Sequence, residues 1–402
     1  MSRRKEIAML LFSGILVALF AQVPVSHAGL MDKIKKKTED KAKQTAEGAV
    51  DQKTGEVIGE APGAATGAAS TEGAPAEGAN AKPADNEKVS EVSTKFDYVP
   101  GDKVILFDDF TQDELGEFPA QWKLVTGTFE VAEKDGERWL RCMSSDAFIQ
   151  MKVPETETLP EFWTLEFDFY GTEPMESVLT VNALSKERQI VWTTSFPSTR
   201  DMFFRSDEIA SYTPLEAGSI PGRHHVMIMA RGKALKAYID QERLVNVPEI
   251  SLRFGTPATL QFRLWANTKP MITNVRYAEG CRPPKDMLAE GKLVTYGIHF
   301  DSGSDIVLPD SAPVMRQIAA YMDANKNVKL KIVGHTDNAG SAPSNLDLSK
   351  RRAASVAKVL AEQFKIAADR FATDGMGDTQ KVAENSTPAG RAMNRRVEFA
   401  KM

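Results

Sequence analysis

Three stretches of this chain set ionisable side chains at spacings that could do chemistry. In Glu166-Phe167-Asp168 two carboxylates fall on one face of a strand, as a general acid and a nucleophile would. In Gly334-His335-Thr336-Asp337 an acid follows a strand end, where loops present functional groups from a rigid base. In Ser349-Lys350-Arg351-Arg352 a guanidinium follows a residue suited to cap a helix, which puts Arg352 at the third helical position, beside unpaired backbone N–H groups that also attract carboxylate. Arginine grips a carboxylate bidentately, which lysine cannot. His335 has no nucleophile paired with it in sequence and reads as a turn residue.

Other chemistries are excluded by composition. His27, His224, His225, His299 and His335 form no metal-spaced cluster, and two cysteines are too few for a Cys-based zinc site. There is no Walker, Rossmann or Cys-x-x-Cys signature, so neither metal nor cofactor is expected. A net charge of -5 with no long basic run argues against nucleic acid as a partner. Cys142 and Cys281 are a possible disulfide, whose long loop would make it worth about 4 to 5 kcal/mol.

The elements that must position these groups differ along the chain. From Lys292 onward the pattern is α/β. Val294 to Phe300 and Val328 to Val333 read as strands, Val314, Ile318, Tyr321 and Met322 recur at helical spacing, Leu348 to Phe364 reads as a helix, and Arg396 to Ala400 as a last strand. Between Phe96 and Glu279 short alternating runs recur between Gly, Pro and Asp breaks: Thr164 to Tyr170, Val226 to Ala230, Leu235 to Asp240, Leu260 to Trp265 and Ile272 to Tyr277. All five Trp lie in this span, which predicts an all-β sandwich with Leu165, Phe167 and Phe169 inward and Glu166 and Asp168 on the solvent face.

No Phe, Trp or Tyr occurs between Phe20 and Phe96, so that stretch cannot build a core. Arg3, Arg4 and Lys5, the apolar run Ile7 to Ala21 and Ser26-His27-Ala28 form a signal peptide cleaved after Ala28, with an uncleaved anchor over Ile7 to Val25 as the alternative. Export into the periplasm follows, with no Cys near the cleavage site for lipidation. Residues 31–60 balance seven Lys with seven acids, and residues 61–85 hold ten Ala, four Gly and three Pro with no Val, Ile or Leu. Residues 29–95 therefore read as a disordered linker, with a coil reach of about 40 to 50 Å.

Four motifs carry a family resemblance. Phe300-Asp301-Ser302-Gly303-Ser304, Gly334 to Gly340 (GHTDNAG), Asn345 to Ala353 (NLDLSKRRA) and Gly390 to Glu398 (GRAMNRRVE) together resemble the OmpA C-terminal-like peptidoglycan-binding domain over residues 292–402. The resemblance implies non-covalent binding of peptidoglycan through the diaminopimelate of its stem peptide. Diaminopimelate carries an ammonium and a carboxylate on one carbon. Asp337 would take the ammonium and Arg352 the carboxylate, with Asp301, Ser302, Thr336, Asn345 and Leu348 lining the pocket. Arg391, Arg395 and Arg396 read as structural, pairing with carboxylates at the domain edge.

Residues 96–280, with Phe107 to Phe110 (FDDF), Phe118 to Trp122 (FPAQW), LEFDFY, LKAYIDQERL and ITNVRYAEG, resemble the concanavalin A-like (laminin-G-like) jelly roll, which implies a glycan ligand. Laminarinase-type hydrolases on that fold carry Glu-x-Asp-x-Glu, and Tyr170 stands where the last acid belongs, so no enzyme is expected. The fold class is thus multidomain: a jelly-roll sandwich, then an α/β (α+β) OmpA-like domain, after a disordered spacer. The expected function is to tether a lectin-like module at the cell wall, with peripheral outer-membrane association. The alternative is a periplasmic polysaccharide-binding or polysaccharide-processing protein whose active module is the sandwich. A flagellar-stator-type protein is disfavoured because residues 7–25 lack an acid, and a porin-like barrel because no series of lipid-facing strands precedes the domain.

Overall fold

The computed structural model describes residues 88–402 apart from 155–157, 172–178, 197–200, 215–221, 266–269 and 281. The signal peptide, its anchor alternative and the linker up to residue 87 lie outside the described residues.

Alternating apolar side chains build two packed sheets. One has eight strands, in the order Glu242–Val247, Ala234–Ile239, Gly222–Arg231, Phe162–Gly171, Met271–Glu279, Glu137–Cys142 and Phe129–Lys134, with Lys103–Asp108 also pairing with Met271–Glu279. The other has seven, in the order Ala210–Pro214, Asp201–Ser206, Ile190–Phe196, Leu179–Leu184, Thr259–Leu264, Ala147–Met151 and Trp122–Thr126. Leu165, Phe167 and Phe169 are buried between the sheets, as their spacing predicts. Trp163 stacks on Trp192 across the sandwich with ring centroids 6.2 Å apart, and Phe167 meets Phe262 edge-on at 5.4 Å.

The α/β part is a four-stranded sheet in the order Lys292–Thr295, Val397–Lys401, Leu330–Gly334 and Phe371–Gly375, packed against helices Ala312–Ala324 and Ala342–Glu362. Its first strand is shorter than the predicted Val294 to Phe300 and ends at Thr295, after which the Tyr296 ring lies under Arg276 of the sandwich. The long helix starts earlier than predicted: Ser341 is its cap, accepting from Ser344 N at 3.3 Å, and Pro343 lies in its first turn, where a missing N–H costs nothing.

The two parts share a core. Met227, Met229 and Tyr238, on the outer side of the eight-stranded sheet, are buried in one cluster with Leu293, Val314, Ile318 and Phe399. Val89, Val92, Phe96 and Tyr98 join the same cluster, and Arg316 donates to the carbonyls of Val92, Ser93 and Phe96. Residues 88–95, expected to belong to the linker, are therefore ordered chain tucked against the α/β part. The two valines are its reason: fully burying each contributes about 1.5 to 3 kcal/mol.

This interface also corrects the expectation for Glu166 and Asp168. They point away from the sandwich core as the alternation requires, yet they are only 5% and 7% exposed. Arg276 donates to Glu166 Oε1 at 2.6 Å and stacks over the Tyr296 ring of the α/β part. Asp168 accepts from Arg223 at 2.6 Å and Asn274 at 2.9 Å, and its Oδ1 lies 2.7 Å from His225 Nδ1. Asn274 takes a φ of +51° at a bulge in its strand, a conformation Asn tolerates, and this aims its amide at Asp168. Cys142 is a free, buried thiol bonded to the Ser144 carbonyl at 3.2 Å, and burial pushes its pKa up to about 11. Its suggested partner Cys281 lies outside the described residues.

Candidate functional site

The site grows from the central strand Leu330–Gly334. Past its end, His335 N donates to Arg396 O and Thr336 N to Gly377 O, both at 3.0 Å, so neighbouring strands hold the loop as if the ladder continued. The long helix crosses directly over these strand ends. A Cβ on Gly334 would lie 2.3 Å from Ser349 O, and one on Gly377, whose φ is +53°, would lie 2.9 Å from Leu346 N. Glycine is required at both places for the helix to come this close.

That approach brings loop and helix residues together. Asp337 is 8% exposed; its Oδ1 accepts from Ala339 N at 3.0 Å and its backbone carbonyl from Asn345 Nδ2 at 3.2 Å. Asn345, Leu348 and Arg352 follow at helical i, i+3, i+7 spacing, so they share one face. Arg352 donates to Ser304 O at 2.8 Å and Asp301 O at 3.1 Å, and its guanidinium lies 4.8 Å from the Phe300 ring centroid. These bonds lock the turn in which Ser304 N donates to Asp301 O at 3.0 Å, leaving the Asp301 and Ser302 side chains exposed.

The charge balance is unequal. Arg395 Nη1 donates to Asp337 Oδ2 at 2.7 Å, so Asp337 has a cation beside it. Arg352 has none of the reverse: its partners are carbonyls, and among the described residues its Nη1 meets no acceptor. Burial lowers the Arg352 pKa, and the nearby Arg395 charge adds to this while Asp337 opposes it. A guanidinium that is partly desolvated and lacks a carboxylate is primed to take one.

Several expectations change here. Ser349 is no cap; it sits in the helix interior, donating to Leu346 O at 2.8 Å and accepting from Gly377 N at 2.9 Å. Arg352 therefore lies beyond the first turn, without the free backbone N–H groups expected beside it. Arg395, read as a structural partner for a carboxylate, does pair with one, the Asp337 of the site. Its neighbour Arg396 pairs with Glu398 at 2.9 Å instead. Consecutive residues leaving a helix point in different directions, which spacing alone does not resolve. His335 is a buried residue, with burial and Arg396 holding it neutral at a pKa of about 4, and neither ring nitrogen has a hydrogen-bond partner. Thr336 Oγ1 is likewise buried without a partner.

Comparison with known proteins bears on this part of the chain. The OmpA family model matches residues 299–395. The outer membrane protein Omp38 of Acinetobacter baumannii is 34% identical over 168 residues, 41% of this chain and 47% of Omp38. The peptidoglycan-binding protein ArfA of Mycobacterium tuberculosis is 37% identical over 118 residues, 29% of this chain and 36% of ArfA. The chain thus matches less than half the length of either relative. Among solved structures, the peptidoglycan-associated lipoprotein of Burkholderia pseudomallei is 25% identical with a TM-score of 0.26, covering 30% of this chain and 100% of that one. The strand-end loop, the long helix with its arginine and the closing Asn394-Arg395 pair all fall within the matched stretch, and residues 299–395 are an OmpA-family domain.

Proposed function

We propose that the α/β domain binds peptidoglycan non-covalently by the diaminopimelate of its stem peptide. Asp337 receives the ammonium and Arg352 the carboxylate, across the groove between the strand-end loop and the long helix. The single observation that carries this reading is Arg352: a half-buried guanidinium, fixed by two carbonyls and a ring, with donors to spare and no carboxylate partner among the described residues. Arg395 holds the Asp337 carboxylate in place until the ammonium arrives. Asp301 and Ser302 form the exposed rim, and Asn345 and Leu348 the helix wall.

Binding there tethers the sandwich, read as a concanavalin A-like, lectin-like module, to the cell wall. Export through residues 1–28 would put the protein in the periplasm beside the outer membrane. Hydrolysis at Glu166 and Asp168 is disfavoured, since both carboxylates are ion-paired and nearly buried. The test is retention on purified sacculi. Asp337→Ala and Arg352→Ala should each abolish it, and undiminished retention in both variants would remove the diaminopimelate mechanism.

A further inference from the structure

The sandwich also touches the α/β domain beside the groove that holds Asp337. The short helix Pro388–Asn394 leads into Arg395, and against it lie the end of the sandwich strand Lys103–Asp108 and the turn that follows. Alternation sends Leu106 into the sandwich core and Phe107 outward. An outward phenylalanine on an edge strand is ordinarily exposed, yet Phe107 is only 9% so, and the Arg395 guanidinium lies 5.8 Å from its ring centroid. One helical turn earlier, Arg391 donates to Thr111 Oγ1 at 3.4 Å and lies 3.9 Å from Asp109 Oδ2.

The sandwich side of this contact is firmly held. Phe110 takes a φ of +57°, a costly conformation for a bulky residue, while its ring is buried in the sandwich core. The buried Asp108 carboxylate fixes that turn, since Oδ1 accepts from Phe110 N and Oδ2 from Trp122 Nε1, both at 2.9 Å. Asp109 Oδ1 accepts from Thr111 N at 3.1 Å and so aims both residues at Arg391. On the α/β side the path to the site is short. Arg395 N donates to Arg391 O at 3.1 Å, Arg395 Nη1 donates to Asp337 Oδ2 at 2.7 Å, and the next carbonyl, Arg396 O, accepts from His335 N on the same loop. The Arg395 side chain is 42% exposed, so without a support on its other side it would sample many rotamers. Phe107 is that support.

We propose that the sandwich is a working part of the stem-peptide site: Phe107, backed by the turn at residues 109–111, positions Arg395, and Arg395 sets the Asp337 carboxylate that receives the ammonium. The proposal rests on the diaminopimelate reading and adds that affinity depends on a strand outside the OmpA-family domain. Phe107 touches no ligand and is a positioning residue. Its ring restrains the guanidinium from one side while Asp337 holds it from the other, and the contact of Arg391 with Asp109 and Thr111 fixes the end of the helix from which Arg395 leaves. A shift of the strand Lys103–Asp108 against the helix Pro388–Asn394 therefore loosens the grip on the stem peptide, which makes the sandwich a regulator of wall binding as well as its cargo.

The test is a double-mutant cycle on the full chain, read by calorimetric titration with the tripeptide L-Ala-γ-D-Glu-meso-diaminopimelate. Phe107→Leu keeps an apolar side chain and removes the ring; it should weaken binding about 2- to 5-fold, the scale of one cation–π contact, and Phe107→Tyr should recover most of that loss. Arg395→Ala should weaken binding as well, and adding Phe107→Leu to it should change nothing further. That vanishing effect separates positioning from a merely structural role. Asp109→Asn removes the charge facing Arg391 without entering the core. A smaller weakening, again absent beside Arg395→Ala, carries the test if Phe107→Leu does not fold. Three results overturn the inference alone while Asp337→Ala and Arg352→Ala still abolish binding: parent-like affinity in both Phe107→Leu and Asp109→Asn, their full loss persisting beside Arg395→Ala, or parent-like affinity in Arg395→Ala. If the parent binds no tripeptide, or if Asp337→Ala and Arg352→Ala bind it as the parent does, the diaminopimelate reading falls and the inference with it.

Discussion

Two clusters of opposite charges in this molecule look alike in sequence and differ in structure. At the interface of the sandwich and the α/β domain, Glu166 and Asp168 are matched by Arg276, Arg223, His225 and Asn274, with every partner within 3 Å of a carboxylate oxygen. At the strand-end loop, Asp337 is matched by Arg395, while Arg352 lies against carbonyls and a ring. The first cluster has spent its electrostatics within the eight-stranded sheet, since all six residues lie on its strands. The second retains a cation, Arg352, with no carboxylate partner among the described residues. What separates a structural ion cluster from a binding site is the unpaired remainder and not the residue types, because a buried charge without its partner is the costly state.

The comparison can be broken most directly by removing one partner from each cluster. Arg352→Ala should abolish sacculus retention while costing no more than about 2 kcal/mol of stability, since only hydrogen bonds to carbonyls are lost; an unfolding midpoint near the parent's checks the second half. Glu166→Ala should do the reverse. It strands the Arg276 guanidinium and should destabilise by about 3 to 5 kcal/mol in urea unfolding, with retention intact in the folded protein. Replacing the pair by Leu and Met should restore most of that loss. If Glu166→Ala is silent, the interface cluster is not structural.

The pH dependence sharpens the contrast. Burial pushes the Glu166 carboxyl up, but Arg276 and His225 outweigh it and hold the folded value at about 2, against 4.5 for the free side chain. Its contribution is present above 4.5 and is lost as pH falls toward about 2. Desolvation of the half-buried His225 pulls its pKa down, yet Asp168 and Glu166 raise it well above 6.5, so its contribution is complete below 6.5 and fades as pH climbs through the raised value. The interface should therefore be firmest between those two bounds. His335 acts oppositely: with a folded value of about 4, it withdraws stability as pH falls from 6.5. Urea midpoints across this range should show a shallower acid-side decline in His335→Gln than in the parent. The smallest effect is expected for Arg395→Ala, whose side chain is 42% exposed: within about 0.5 kcal/mol on stability, with sacculus retention weakened because Asp337 loses its neighbour.

Much of the α/β domain was legible because its motifs are local. Gly334-His335-Thr336-Asp337 and the arginine-bearing helix each lie on one element, and the strand and helix periods around them survive in the sequence. The start of the long helix was not, since Ser341-Ala342-Pro343-Ser344 and Ser349 offer competing caps and only packing against Gly334 and Gly377 selects the longer helix. In the sandwich the alternation placed Phe167 and Phe169 inward. It could not tell whether the outward Glu166 would meet water or another part of the chain.

By itself the sequence determined the two-part organisation, the inward and outward sides of the strands, and the placing of Asp337 past a strand end and Arg352 on a helix, because periodicity and local motifs depend on residues close in the chain. Tertiary structure alone decided which charges are spent. The meeting of Glu166 with Arg276, and of Asp337 with Arg395, joins residues 110 and 58 positions apart, and the burial of Val89 and Val92 depends on a domain that begins some two hundred residues later. Partnership across such distances is set by which surfaces come together, and no local pattern records it.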